Sequence, residues 1–216
     1  MKTDIQLQQD VLDELKWDPK INAANVGVEV KNGVVTLSGH VDNYPEKWAA
    51  EDAAKRVKGV KALAIELDVI LANSYKRTDS QIAQAAANAL KANIYNLGDL
   101  VQIKVENGIV TLTGIVEWQF QKSTAESTMR YLAGVRGVHN QILIKPKISV
   151  SAVKSDIDAA INRRALSDIQ NIKVQVSGTE VILGGKVHDW SEKNLAVDAA
   201  WSVPGVSKVT DNMAFV

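Results

Sequence analysis

Three segments of this chain spell the same hairpin. Residues 26–39 read VGVEVKNGVVTLSG, residues 101–114 read VQIKVENGIVTLTG, and residues 172–185 read the looser IKVQVSGTEVILGG. Each is two short runs of alternating apolar residues around a tight turn. Repetition of this kind restricts the chain to an array of one small unit. Asn32-Gly33 and Asn107-Gly108 supply the residue pair that a two-residue hairpin turn prefers, because both positions need positive φ. That loop sets Val30 opposite Val35 and Val28 opposite Leu37, and likewise Val105 opposite Val110 and Ile103 opposite Leu112. In the third copy Gly178-Thr179 forms the turn, of the type led by glycine, and Val176 meets Val181. Glu29, Lys31, Lys104, Glu106, Lys173 and Gln175 fill the other face, so each sheet is expected to be covered on one side only.

The spacing around the hairpins repeats as well. Leu15, Leu90 and Ile161 each precede a hairpin-end glycine (Gly39, Gly114, Gly185) by 24 positions. Those glycines precede Gly59, Gly134 and Gly205 by 20 positions. The first glycine set is expected to release the second strand into a turn and the second to cap a helix, tasks that need no side chain. Thr3 is a candidate N-cap for a helix with Leu7, Val11, Leu12 and Leu15 on one stripe, stopped by Trp17-Asp18-Pro19. Asn43-Tyr44-Pro45 opens a second helix with Ala50, Ala53, Ala54 and Val57 on one face. Leu63, Ile65, Leu67 and Val69 alternate as a third strand.

The unit restarts at Thr78. Its stripes are Ile82, Ala86, Ala89 and Leu90, then Ala125, Thr128, Met129 and Leu132, and its third strand carries Val138, Ile142 and Ile144. It restarts again at Ser149, with Val153, Ile157, Ala160 and Ile161, then Ala196, Ala199, Ala200 and Val203, then Val209, Met213 and Phe215. Residues 70–77 and Lys145-Pro146-Lys147 have linker character. The expected fold is α+β, with three tandem αββαβ domains at 1–72, 76–146 and 147–216. Each is a three-stranded sheet with two helices on one face.

These residues carry a resemblance. The hairpin GVVTLSG or GIVTLTG, the helix closing on VKGV, LAGV or VPGV, and the final alternating strand are similar to the BON domain, the bacterial OsmY and nodulation family. The resemblance covers nearly the whole chain. It is weaker in the third copy, where Glu180 and Ile182 replace an apolar residue and a threonine. It implies a small α+β fold, and non-enzymatic binding modules associated with bacterial envelopes, osmotic stress and phospholipid.

The composition narrows the chemistry. With 25 basic and 25 acidic residues the chain has no formal net charge, which argues against a dedicated nucleic-acid binder. It contains no cysteine, so disulfides, thiolate metal sites and thiol catalysis are excluded. No apolar run is long enough to span a bilayer. The N-terminus lacks the apolar core of a signal peptide and reads as an amphipathic helix. That places the chain in the cytoplasm, or in the periplasm if a leader has been removed.

No catalytic set emerges, and neither a cofactor nor a metal is expected. His40, His139 and His188 occupy three different places in the repeat and read as surface or edge residues. Glu46 with Glu192 and Glu51 with Glu126 recur on what should be the solvent face of the second helix. Gly184-Gly185 has no phosphate-loop surroundings. Gly134-Val135-Arg136-Gly137 matches the loop of KH domains only weakly, since it joins a helix to a strand.

Aromatic placement is more suggestive. Tyr44, Trp118 and Trp190 lie at the entry to the second helix, with Trp48 and Phe120 close by. Lys47, Lys122 and Lys193 share one position on that helix. Rings beside lysines suit contact with an anionic lipid surface. The competing reading is that the rings pack copy against copy or cover the ends of small cores. Trp17 and Trp201 read as core or inter-domain residues. The function expected is peripheral association with phospholipid or an envelope assembly under osmotic or general stress, through weak contacts repeated three times. The alternative is a cytosolic scaffold that binds a protein partner or self-assembles as a homo-oligomer.

Overall fold

The computed structural model describes residues 2–145, 159 and 172–215. The first copy runs α1 (Asp4–Trp17), β1 (Val26–Lys31), β2 (Val34–Val41), α2 (Tyr44–Arg56), β3 (Ala62–Val69). The second runs α3 (Asp79–Lys91), a one-turn α4 (Leu97–Leu100), β4 (Val101–Glu106), β5 (Ile109–Val116), α5 (Gln119–Arg130), β6 (Gly137–Asn140) and β7 (Leu143–Ile144). The third contributes β8 (Ile172–Ser177), β9 (Glu180–Val187), α6 (Trp190–Trp201) and β10 (Lys208–Phe215). The helix expected at its start, with Val153, Ile157, Ala160 and Ile161, lies outside the described residues.

The hairpins form as the turn chemistry requires. Asn32, Gly33, Asn107 and Gly108 all have positive φ. Val30 pairs with Val35, Ile103 with Leu112 and Val176 with Val181. The middle strand of each sheet is the second of its hairpin. It pairs antiparallel with the first strand and parallel with the third. A parallel partner needs a crossover, which the second helix of each copy supplies. The first two sheets bury one face under two helices and the third buries one under α6: Val35, Leu37, Val41, Ala50, Ala53 and Ala54 are fully buried in the first copy, and Val181, Leu183, Ala196, Ala199 and Ala200 in the third.

The strands depart from expectation in two places. The middle strand does not end at its glycine but runs on to Val41, Val116 and Val187. Gly39 (φ +112°) and Gly114 (φ +143°) sit inside it, where a Cβ would stand 2.2 Å from the carbonyl oxygens of Asn25 and Leu100. The glycine therefore admits a close backbone crossing and releases no strand. The third strand of the second copy is also broken, into β6 and β7. Asn140 occupies the core-face position that Ile65 holds in the first copy. Its amide donates to the Lys122 carbonyl (2.9 Å) and to Glu126 (3.0 Å), and its Oδ1 accepts from the Ile142 N–H (3.3 Å).

Two carboxylates fix the helices to the hairpins. Asp4 accepts from the Asn32 and Gly33 N–H groups at 2.7 and 3.1 Å. Asp79 accepts from Asn107 and Gly108 at 2.8 and 2.9 Å. In the first two copies the first turn of the first helix thus receives the exposed donors of an Asn-Gly turn, which would otherwise be left to water.

Candidate functional site

The repeat glycines fix which residues correspond: add 75 from the first copy to the second, and 71 more to the third. Tyr44, Gln119 and Trp190 then share one position, the first of the second helix. Trp118 falls one residue earlier, at the N-cap that Asn43 and Asp189 occupy in the other copies. Asn43 and Asp189 accept from the N–H groups of Glu46 (2.9 Å) and Glu192 (3.0 Å), and indole has no such acceptor. The Gln121 carboxamide oxygen receives the Glu117 and Trp118 N–H groups, each at 3.0 Å, from the repeat position where Glu46 and Glu192 receive those of Asp42 and His188.

The second helices form the seams between copies. Tyr44 is half-buried and packs against the cores of the first and second copies. Burial raises its hydroxyl pKa, against a hydrogen bond from the Val138 backbone that lowers it. Trp48 lies under the Arg130 guanidinium, whose carbon is 3.9 Å from the ring centroid. The Arg136 Nε donates to the Val69 carbonyl at 3.2 Å across the same seam. Trp190 of the third copy packs against the core of the first, with the Lys55 ammonium 5.4 Å from its ring centroid. Lys55, Arg130 and Trp201 correspond to one another. The start of α2 therefore meets the end of α5, and the start of α6 meets the end of α2. The start of α5 faces the end of α6 across an open cleft of about 600 Å³ that both helices line.

The lysines turn inward. Lys47 Nζ donates to the Leu67 carbonyl (2.6 Å). Lys193 pairs with Asp211 at 3.0 Å and stands over the rings of Trp190 and Phe215. Lys122 is half-buried beside a second cleft. Of the ring set, Trp118 (39 %) and Phe120 (47 %) are exposed, and Phe120 stacks edge-on against Tyr95 with centroids 4.9 Å apart. Trp48 is exposed too, at 37 %, although Arg130 lies over its ring. The structure thus splits the proposed surface, with Tyr44, Trp190, Lys47 and Lys193 engaged within the chain and Trp118 and Phe120 left on the second copy.

Other residues depart from expectation. Trp17, read as core or inter-domain, is 86 % exposed. Glu46, read as solvated, is 5 % exposed because it accepts the Asn22 (2.7 Å) and Asp42 (3.0 Å) N–H groups. Glu192 takes the His188 N–H (2.8 Å) and lies 3.1 Å from its Nδ1. Glu51 pairs with Lys55 and Glu126 with Arg130. Among the described residues no group of histidine, aspartate and glutamate could hold a metal ion, and no described helix is long and apolar enough to cross a membrane.

Three small α+β units joined through their second helices define a tandem-repeat module. The chain belongs to the BON domain family, which matches residues 3–70, 78–146 and 149–216. It is similar to the osmotically-inducible protein Y of Escherichia coli, 32% identical over 130 residues, covering 58% of this chain and 64% of that protein. It is also similar to the outer membrane lipoprotein DolP of Haemophilus influenzae, 32% identical over 109 residues, covering 48% of this chain and 56% of that protein. In both cases the chain spans less than two thirds of the relative's length. Among solved structures, the C-terminal domain of CdsD, a structural protein of the type III secretion system of Chlamydia trachomatis, aligns over 100% of both chains at 17% identity. Its TM-score is 0.28, too low to support any argument.

Proposed function

We propose that this chain is a non-enzymatic binding module that associates peripherally with anionic phospholipid at a bacterial envelope, in a response to osmotic or general stress. The names of the two relatives, one osmotically inducible and one an outer membrane lipoprotein, support the stress and envelope parts. They lend no support to the cytoplasmic placement expected from the N-terminus. The observation that carries the reading is the exposure of Trp118 and Phe120 on the second copy, after the seams have taken Tyr44 and Trp190. Exposed rings at a helix entry are suited to the headgroup boundary. With most of the proposed lysines turned inward, the contact rests on ring burial more than on charge.

Co-sedimentation with phosphatidylglycerol vesicles at low and high salt tests the reading. Binding at low salt that the double variant Trp118→Ala, Phe120→Ala reduces at least tenfold supports it. Equal binding by the variant, or none by the natural chain, removes it.

A further inference from the structure

The three seams are related but not equally filled. Two are closed by an aromatic side chain from the first position of a second helix: Tyr44 into the second copy and Trp190 into the first. In both, a cation from the neighbouring helix lies over an aromatic ring, Arg130 over Trp48 and Lys55 over Trp190. The third seam has Gln119 at the aromatic position and Trp201 at the cation position. Two clefts open there, of about 600 and 520 Å³, and Trp201 lines both. Their sizes fall in the ordinary range for ligand pockets.

A second observation comes from the sheet. Beside the smaller cleft Ile115 pairs with Leu143 on the sheet face away from the helices, and they are 54 % and 66 % exposed. The corresponding pairs are His40 with Asp68 in the first copy and Lys186 with Ala214 in the third. Only the second copy puts two large apolar residues at this point, and it does so beside the open seam. The pair adds exposed apolar surface at the rim of the cleft that a ligand seated there would cover. Lys122, Lys145 and Lys208 line the same cleft, with Lys208 shared with Glu180 at 2.7 Å.

We infer that the seam between the second and third copies, around Trp201, is a docking cleft for an acidic segment of a partner protein that inserts one aromatic side chain. The aromatic requirement comes from the other two seams, where Tyr44 and Trp190 fill the place that Gln119 leaves open. The acidic requirement comes from Lys122 and Lys145 on the sheet side of the cleft, where no carboxylate is among the described lining residues; Lys208 is shared with Glu180, and Asp198 lies on the helix side. A peptide fits better than an acyl chain. Gln119 Oε1 is buried without a hydrogen-bond partner, and Ser123, Thr124 and Ser202 also line the cleft. A peptide N–H or an indole N–H can pair that oxygen, whereas an acyl chain cannot. The larger cleft shares Trp118 and Phe120 with the proposed vesicle contact, but Trp201, Ile115 and Leu143 belong to the docking cleft alone, so the variants at Gln119 and Leu143 separate the two readings.

The test uses the full chain labelled with 15N and a probe peptide, Ac-Asp-Asp-Trp-Asp-Asp-NH2. The indole resonances of Trp118 and Trp201 should shift saturably, while that of Trp17 stays in place. Gln119→Trp should weaken the interaction at least tenfold by supplying the missing ring from within the chain. Leu143→Asp, at an exposed position that does not threaten folding, should do the same. A lysine-flanked peptide, Ac-Lys-Lys-Trp-Lys-Lys-NH2, should bind at least tenfold more weakly than the acidic one. The inference is overturned if the acidic peptide gives no saturable shift, if the two peptides bind alike, or if both variants bind as the natural chain does. It is equally overturned if dihexanoyl phosphatidylglycerol below its micelle concentration shifts these indoles and the peptide does not.

Discussion

At the scale of single residues, the glycines inside the middle strands offer the sharpest test. A Cβ on Gly114 would stand 2.2 Å from the Leu100 carbonyl oxygen at φ +143°, and no rotation of a side chain relieves a backbone clash. Gly184, one position before the equivalent glycine of the third copy, has no atom within 4 Å of its added Cβ. Gly114→Ala should therefore cost about 3 kcal/mol or more, and Gly184→Ala about 0.5 kcal/mol or less, in chemical denaturation. Similar losses at the two sites would refute the crossing argument. The aspartate clamp makes a second prediction. Asp79→Ala leaves two turn N–H groups without their charged acceptor, and about 1–3 kcal/mol should be lost. The glycines were legible in the sequence as positions but not as jobs. Spacing shows that a residue lacks a side chain for a reason, but only the neighbouring backbone shows whether the reason is a turn or a crossing. The clamp was hidden differently, because Asp4 and Asp79 look like ordinary first-turn helix acids.

At the scale of elements, the hairpins were readable down to individual pairs, since alternation and turn type are both local and agree. The second helix was readable as a helix but not as a seam. Tyr44, Trp118 and Trp190 look like one set by eye, yet the glycine register places Trp118 a residue apart from the others. That arithmetic was available in the sequence and separates the two half-buried seam rings from the exposed one. The direction of Lys47 and Lys193 was not available, because a long side chain on one helix position reaches either solvent or its own sheet edge. The seam also has a titratable member. Burial is the largest influence on Tyr44 and raises its pKa, so the folded state holds its proton more tightly than the unfolded chain. The stability this contributes is complete below the unfolded value of about 10 and is lost as pH rises through the higher folded value. Urea titrations between pH 9 and 11 should show a fall in stability that Tyr44→Phe makes shallower. An unchanged slope in the variant would mean that other tyrosines or lysines govern the alkaline limb.

At the scale of the whole molecule, the seams determine how three marginal units share stability. A unit of roughly seventy residues buries too little surface to be robust alone, so neighbour contacts become a large part of what holds it. Those contacts are uneven here. The first copy is joined to the second through Tyr44, Trp48 and Arg136, and to the third through Trp190 and Lys55, while the second and third face each other across open clefts. Coupling should therefore run third to first to second, against the order of the chain. Trp190→Ala should release the third copy, whose β8–β10 amides should lose at least tenfold hydrogen-exchange protection, while amides of β4 and β5 change little. Tyr44→Ala should do the reverse, lowering protection across the second copy and sparing the third. Chain order makes the opposite forecast for the first variant, since a linker joins the third copy to the second and none joins it to the first. If Trp190→Ala loosens the second and third copies together, sequence neighbours are the coupled pair and the spatial seam contributes little.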